Sequence, residues 1–235
     1  MTQKRFFKLL TRAHRYLGLI LGIQILIWFS SGFFMSFFDI ENVRGEHIAQ
    51  KAKFELAHED VIPLSELPIE AVKSLELLSA VGKPIYKVTA EDTQFYDALD
   101  GAIWDGIDKA AALTAARRYY KGEASPHAIM KLQTAPIEYR GPLPVWQVTY
   151  DDKPKTRLYL DANTGELKAV RTRLWRVFDF MWMLHIMDYD GRDDINNWWL
   201  WLCSGAAALF ALSGILLVAH RMVLKPKKRL NAMDS

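Results

Sequence analysis

Polar positions vanish from the chain twice. From Tyr16 to Phe38 the polar side chains are Tyr16, Gln24, Ser30, Ser31 and Ser36, and no residue is charged; from Trp198 to Ala219 there is again no charge. At about 1.5 Å per residue either run reaches roughly 30 Å as a helix, the thickness of the hydrocarbon core of a bilayer. The pattern predicts transmembrane helices over 16–38 and 196–220. Residues 39–172 between them are polar enough for a folded aqueous domain. Leu174-Trp-Arg-Val-Phe-Asp-Phe-Met-Trp-Met-Leu-His-Ile-Met187 is too short to span and rich in Trp, Phe and Met. It predicts an interfacial helix within 173–190, and Trp198, Trp199 and Trp201 form an aromatic belt.

The central domain contains a repeat. Pro84-Ile-Tyr-Lys-Val-Thr89, followed by Gln94-Phe-Tyr-Asp-Ala-Leu-Asp-Gly-Ala-Ile103, matches Pro144-Val-Trp-Gln-Val-Thr149, followed by Leu158-Tyr-Leu-Asp-Ala-Asn-Thr-Gly-Glu-Leu167. Each half reads as a strand, a second strand with tyrosine, a Gly-containing hairpin and a third short strand. Strands are expected at about 85–90, 95–99, 145–150 and 157–161. A helix is expected before each set, at Ser65–Ala80 on the three-apart spacing of its apolar residues and at Ile107–Tyr120 with Asp105 as cap. Gly122–Gly141 reads as a long connection. The expected class is therefore α+β: two transmembrane helices flanking two helix-plus-antiparallel-sheet repeats, about 60–105 and 106–171.

Charge sets the orientation. Lys4, Arg5, Lys8, Arg12 and Arg15 precede the first span, in a tail of residues 1–15. Arg221, Lys225, Lys227, Lys228 and Arg229 follow the second, in a tail of 221–235. By the positive-inside rule both tails are expected in the cytoplasm and the domain outside. Between the tails 20 Lys and Arg face 26 Asp and Glu, so the basic balance belongs to the membrane flanks and nothing points to nucleic acid. Phe37-Phe38-Asp39-Ile40 offers no signal-peptidase site, so the first span is expected to be retained. The single cysteine, Cys203, lies in the second span and excludes an intrachain disulfide.

The central domain shows no nucleophile–base pair or phosphate loop, and His47, His58 and His127 read as surface residues. The candidate chemistry lies at the membrane. His14, Gly18 and Gly22 stand at i, i+4 and i+8 on one stripe of the first span, and His220 closes the second. One reading is helix packing through Gly-x-x-x-Gly, with His14 and the neighbouring arginines bonding headgroups. The sharper reading is haem b held between His14 and His220. Gly18 and Gly22 would then admit the flat macrocycle, and Arg12, Arg15 or Arg221 would pair with its propionates. His185 offers a further ligand on the outer side.

His14-Arg-Tyr-Leu-Gly18, the apolar run ending Ser30-Ser-Gly32, Leu158-Tyr-Leu-Asp-Ala-Asn-Thr-Gly165, Leu184-His185 and Leu212-Ser-Gly-Ile-Leu216 together resemble the PepSY-associated transmembrane family. The resemblance covers most of the chain. It implies PepSY folds for the outer repeats, location in a bacterial inner membrane and, from some members, haem-dependent reduction of ferric siderophores or electron transfer. It supports His14 and His185 as ligands; His220 rests on the expectation of a shared depth. Larger members carry four or more spans, whereas two helices cannot enclose a macrocycle. A homodimer or a partner subunit is therefore expected. The rival reading is a non-catalytic accessory subunit of a larger respiratory or transport complex.

Overall fold

The structure is a computed structural model that describes residues 3–52, 54–55, 61–69 and 72–223. Lys225, Lys227, Lys228, Arg229 and His58 lie outside these residues. The chain divides into two units, one of Met1–Phe37 with Asp179–Ser235 and one of Phe38–Phe178.

In the first unit, helices α1 (Gln3–Ser36) and α5 (Trp198–Val223) pack antiparallel. Among the described residues, two stretches are long and apolar enough to cross a membrane, Arg5–Ser36 and Trp198–Met222. Only 11% and 6% of their apolar windows is buried by protein. Leu19, Ile23, Phe29, Leu209 and Ile215 stand uncovered, so hydrocarbon is the surrounding these side chains require. A helix suits it because every internal N–H and C=O is bonded within the segment.

The second unit opens with α2 (Ile40–Arg44) and a 3-10 turn at Leu64–Glu66. It holds two antiparallel sheets, β1-β2-β3 and β4-β5-β6-β7. The strands are β1 Ser74–Ala80, β2 Lys83–Thr89, β3 Thr93–Asp97, β4 Pro126–Leu132, β5 Val145–Tyr150, β6 Arg157–Asp161 and β7 Leu167–Arg171. Helix α3 (Lys109–Tyr119) lies on the larger sheet, with Ala115, Ala116 and Tyr119 against Val148, Tyr150, Leu158, Leu160, Leu167 and Val170. A second buried cluster joins the halves, with Ala80 and Ile85 meeting Ile107 and Ala112. Helix α4 (Arg173–Ile186) contains the boundary between the units.

The repeat holds down to individual hydrogen bonds. Asp97 N–H donates to Ala102 O and Asp161 N–H to Glu166 O, each at 2.9 Å; Gly101 and Gly165 donate back to Asp97 O and Asp161 O at 3.0 and 2.8 Å. The Asp97 and Asp161 side chains accept from Leu99 N–H and Asn163 N–H, each at 2.9 Å. Gly101 and Gly165 sit at φ 74° and 75°. The same short hairpin is built twice by the same residue types.

Four expectations need correction. Ser65–Ala80 is not a helix. The described part holds the 3-10 turn and β1, which pairs along its whole length with β2 through the turn at Val81-Gly82. The three-apart spacing is helical, but ladder pairing and the Glu76–Lys87 ion pair at 2.8 Å override a weak local preference. Gly122–Gly141 contains strand β4, missed because His127 and Lys131 interrupt its apolar positions. Helix α3 is capped by Asp108, whose carboxylate accepts from Ala111 N–H at 2.7 Å, rather than by Asp105. The third strand of the first repeat shrinks to a Tyr96–Ile103 bridge, the counterpart of Leu160–Leu167 in β6 and β7.

Gly165→Val tests the interlock of the halves. A Cβ there would stand 2.6 Å from Val81 Cγ2 and 3.1 Å from Ile107 Cδ1, on a backbone at φ +75°. Left-handed strain and overpacking add, so a loss of about 2–5 kcal/mol is expected in denaturant unfolding. Gly101→Val meets Ile62 Cδ1, the far end of a flexible side chain, at 2.9 Å and should cost less.

Candidate functional site at two serine–glycine stations

Two histidines in the membrane unit are held by the same device. On α5, Ser213 donates to Phe210 O at 2.7 Å, the usual back-bond of a serine in a helix. His14 Nδ1 lies 2.7 Å from Ser213 Oγ. A serine hydroxyl has one proton; when Phe210 O takes it, the tautomer that bonds Ser213 Oγ is the one in which His14 donates its Nδ1–H. The His14 ring stacks on Phe210 with centroids 4.3 Å apart and planes 5° from parallel. Gly214 lets the ring approach, since a Cβ there would stand 3.2 Å from His14 Cε1.

On α1 the arrangement recurs. Ser31 donates to Trp28 O at 2.9 Å, and His185 Nδ1 lies 3.2 Å from both Ser31 Oγ and Trp28 O. A carbonyl only accepts, so Nδ1 of His185 again carries the proton. Trp28 lies against the ring at 5.8 Å, and a Cβ on Gly32 would stand 3.0 Å from His185 Cε1. The shared pattern is aromatic-x-x-Ser-Gly: Trp28-Phe-Ser-Ser31-Gly32 and Phe210-Ala-Leu-Ser213-Gly214.

The chemical consequence is the same at both stations. With Nδ1 committed as donor, a neutral imidazole keeps its lone pair on Nε2, and Nε2 has no hydrogen-bond partner among the described residues. An oxygen that accepts from the far ring nitrogen and so fixes the tautomer is the usual setting of a metal-ligating histidine. Both rings are half-buried. A groove of about 470 Å³, lined by Trp28, Phe29, Gly32, Phe33, Ser36 and His185, opens beside the second station, within the range of small-molecule sites. Along α1 the stations are separated by the rise from His14 to Ser31, about 25 Å.

The helix register does not bring His14 and His220 together. His14 is level with Ser213, whereas His220 is level with Phe7 and stacks on it at 3.4 Å and 9°. The two layers are seven residues apart on either helix, about 10 Å, so the expected pairing on one iron is corrected. The glycine stripe does not act as one surface either. Gly18 is covered by Phe210, whose Cε2 would meet a Cβ at 2.9 Å, while Gly22 has nothing within 4 Å. Arg15 and Arg221 are exposed. His47 and His127 are exposed, as expected of surface histidines. In the sequence the role of Ser31 and Ser213 is marked by the recurrence of aromatic-x-x-Ser-Gly.

The second unit has its own buried polar centre. Glu138, 6% exposed, accepts from Arg157 Nη1 at 2.8 Å, Arg176 Nε at 2.7 Å and Tyr159 Oη at 2.6 Å. Burial alone would raise its pKa; the three hydrogen bonds outweigh it and hold the carboxyl below its ordinary value. Burial, and then the same carboxylate, push the Tyr159 phenol up.

No curated protein and no solved structure matches the chain. The family model described as the PepSY-associated TM region matches residues 11–234, which include both serine–glycine stations and both sheets. The chain is a member of the PepSY-associated transmembrane family.

Proposed function

We propose that this protein carries electrons across a bacterial inner membrane, with haem b bound at two levels, His14 holding one and His185 the other. The observation that supports this most is that Nδ1 of each ring lies within hydrogen-bond reach of oxygen atoms of the neighbouring helix, Ser213 Oγ for His14 and Ser31 Oγ and Trp28 O for His185; a ring that donates there offers its Nε2 lone pair, the donor that haem iron takes. Haem supplies one-electron redox chemistry; the chain supplies a fixed ligand, an apolar surrounding and the spacing. One chain offers one imidazole per level, so the opposing ligand comes from a second copy or a partner subunit. His220, stacked on Phe7, serves helix packing in this reading. The outer unit docks the electron donor, acceptor or ferric substrate.

Arg5, Lys8, Arg12, Arg15 and Arg221 at the ends of α1 and α5 favour cytoplasmic termini and a periplasmic outer unit. Asp151→Cys in a Cys203→Ala background, at an exposed position, is expected to react with an impermeant thiol reagent in cells with a permeabilised outer membrane. Protection there would reverse the orientation. Purified, reduced protein should show a Soret band and the split α and β bands of low-spin haem b. Protein purified from haem-replete cells without Soret absorbance would leave the accessory-subunit reading in its place.

A further inference from the structure

The outer unit has a groove whose charge runs against that of its surroundings. One wall is the segment 44–51 and the other is β7, enclosing about 650 Å³. The walls meet because α2 ends at Gly45 in the left-handed region, φ 75°, where a Cβ would stand 2.7 Å from Val170 Cγ1. Backbone pairing then ties the outer wall down: Gln50 N–H donates to Tyr119 O at 3.0 Å and Lys121 N–H to Ile48 O at 2.9 Å. The groove is thus a built feature of the fold rather than a gap beside a loose loop.

Its lining divides by polarity. Ala49, Leu167 and Val170, which belong to the core under α3, and Ala169, which packs with Tyr139 and Tyr159 on the other face of the sheet, line the apolar edge of β7 and are buried. Arg44, Lys51, Lys121, Lys168 and Arg171 stand around it, with Glu46 the acidic side chain of the lining. The chain between the tails carries more acids than bases, so this gathering of cations does not follow from composition. Lys51 and Lys168 share Glu166, at 3.1 and 2.6 Å, in pairs that water reaches and that hold weakly. Lys121 Nζ donates to the carbonyl of Glu46 at 3.2 Å, which leaves its charge uncompensated. Arg44 has no hydrogen bond or ion pair among the described residues. Cations around a low-dielectric edge focus the field into the groove.

We propose that this groove binds a small organic polyanion, its body along the apolar edge of β7 and its carboxylate or phosphate groups on Lys121 and Arg44. The assignment stands apart from the haem reading, since it uses no residue of the membrane unit. The same chemistry could be met by a free anion or by an anionic lipid headgroup, and the test separates the two.

Full-length protein in phosphatidylcholine nanodiscs is titrated calorimetrically with benzene-1,3,5-tricarboxylate. Saturable binding at one site per chain is expected, weakening as salt is raised. Arg44→Glu and Lys121→Glu, both at exposed positions, should each weaken it at least tenfold. Lys121→Arg should retain it, and Lys131→Glu on β4 should leave it unchanged. In nanodiscs containing phosphatidylglycerol, loss of tricarboxylate binding would identify a headgroup as occupant of the same site, and retention would identify a free anion. No saturable binding in phosphatidylcholine, or equal weakening by Lys131→Glu, overturns the proposal.

Discussion

His14→Ala and His185→Ala are each expected to remove one haem's share of the absorbance of the purified protein, and the double variant all of it. The stations lie about 25 Å apart along α1 and have no residue in common, so the two losses should add. His220→Ala and His127→Ala should leave the spectrum intact, the first because its ring lies a full layer away against Phe7. Ser213→Ala probes the tautomer itself. It keeps the ligand and removes the hydroxyl 2.7 Å from its Nδ1; loss of such a partner weakens metal binding by about 10- to 100-fold. A Ser213→Ala protein with unaltered haem content and potential would show that the serine only packs. Full haem in the His14→Ala protein would remove His14 from the ligand set.

Glu138→Gln is expected to lower the stability of the second unit by about 2–4 kcal/mol, read from denaturant unfolding of the full chain in detergent. Glu138 is 7% exposed at its side chain and answers two guanidinium groups, so the variant leaves two half-buried cations without their counter-charge. The figure is kept below that for a fully buried pair because Arg157 and Arg176 are 40% and 30% exposed and water screens them. The pH dependence follows from the lowered pKa. Its contribution is fully present above the carboxyl's unfolded value, about 4.3, and is lost as pH falls through the lower folded value. Wild-type protein should therefore lose stability below about pH 4.3, and Glu138→Gln should lack that part of the acid limb. An identical acid limb in the two proteins would assign the loss to other carboxylates.

The parts of this protein legible in the sequence are those that a single segment decides. A charge-free run long enough to cross a bilayer has one stable backbone state in hydrocarbon, so α1 and α5 follow from composition alone. The matching strings Asp97-Ala-Leu-Asp-Gly101 and Asp161-Ala-Asn-Thr-Gly165 encode the same hairpin because its bonds are made within five or six residues. Strands β5 and β6 alternate strongly enough to be placed to the residue, Val145–Tyr150 and Arg157–Asp161. What only the tertiary structure decided depends on partners far away in the chain. Leu75 and Leu78 fit a helix as well as a strand, and the ladder from Val88 to Ile85 chooses the strand. Glu138 looks like any loop acid until Arg157, Tyr159 and Arg176 arrive from β6 and α4. The periodicity of α1 shows which face His14 shares, but not how far α5 slides along it. That axial register is set by side-chain fit, Phe210 into the notch at Gly18 and Phe7 against His220. It seats His14 on Ser213 because a helix repeats its face every turn and carries no mark of depth.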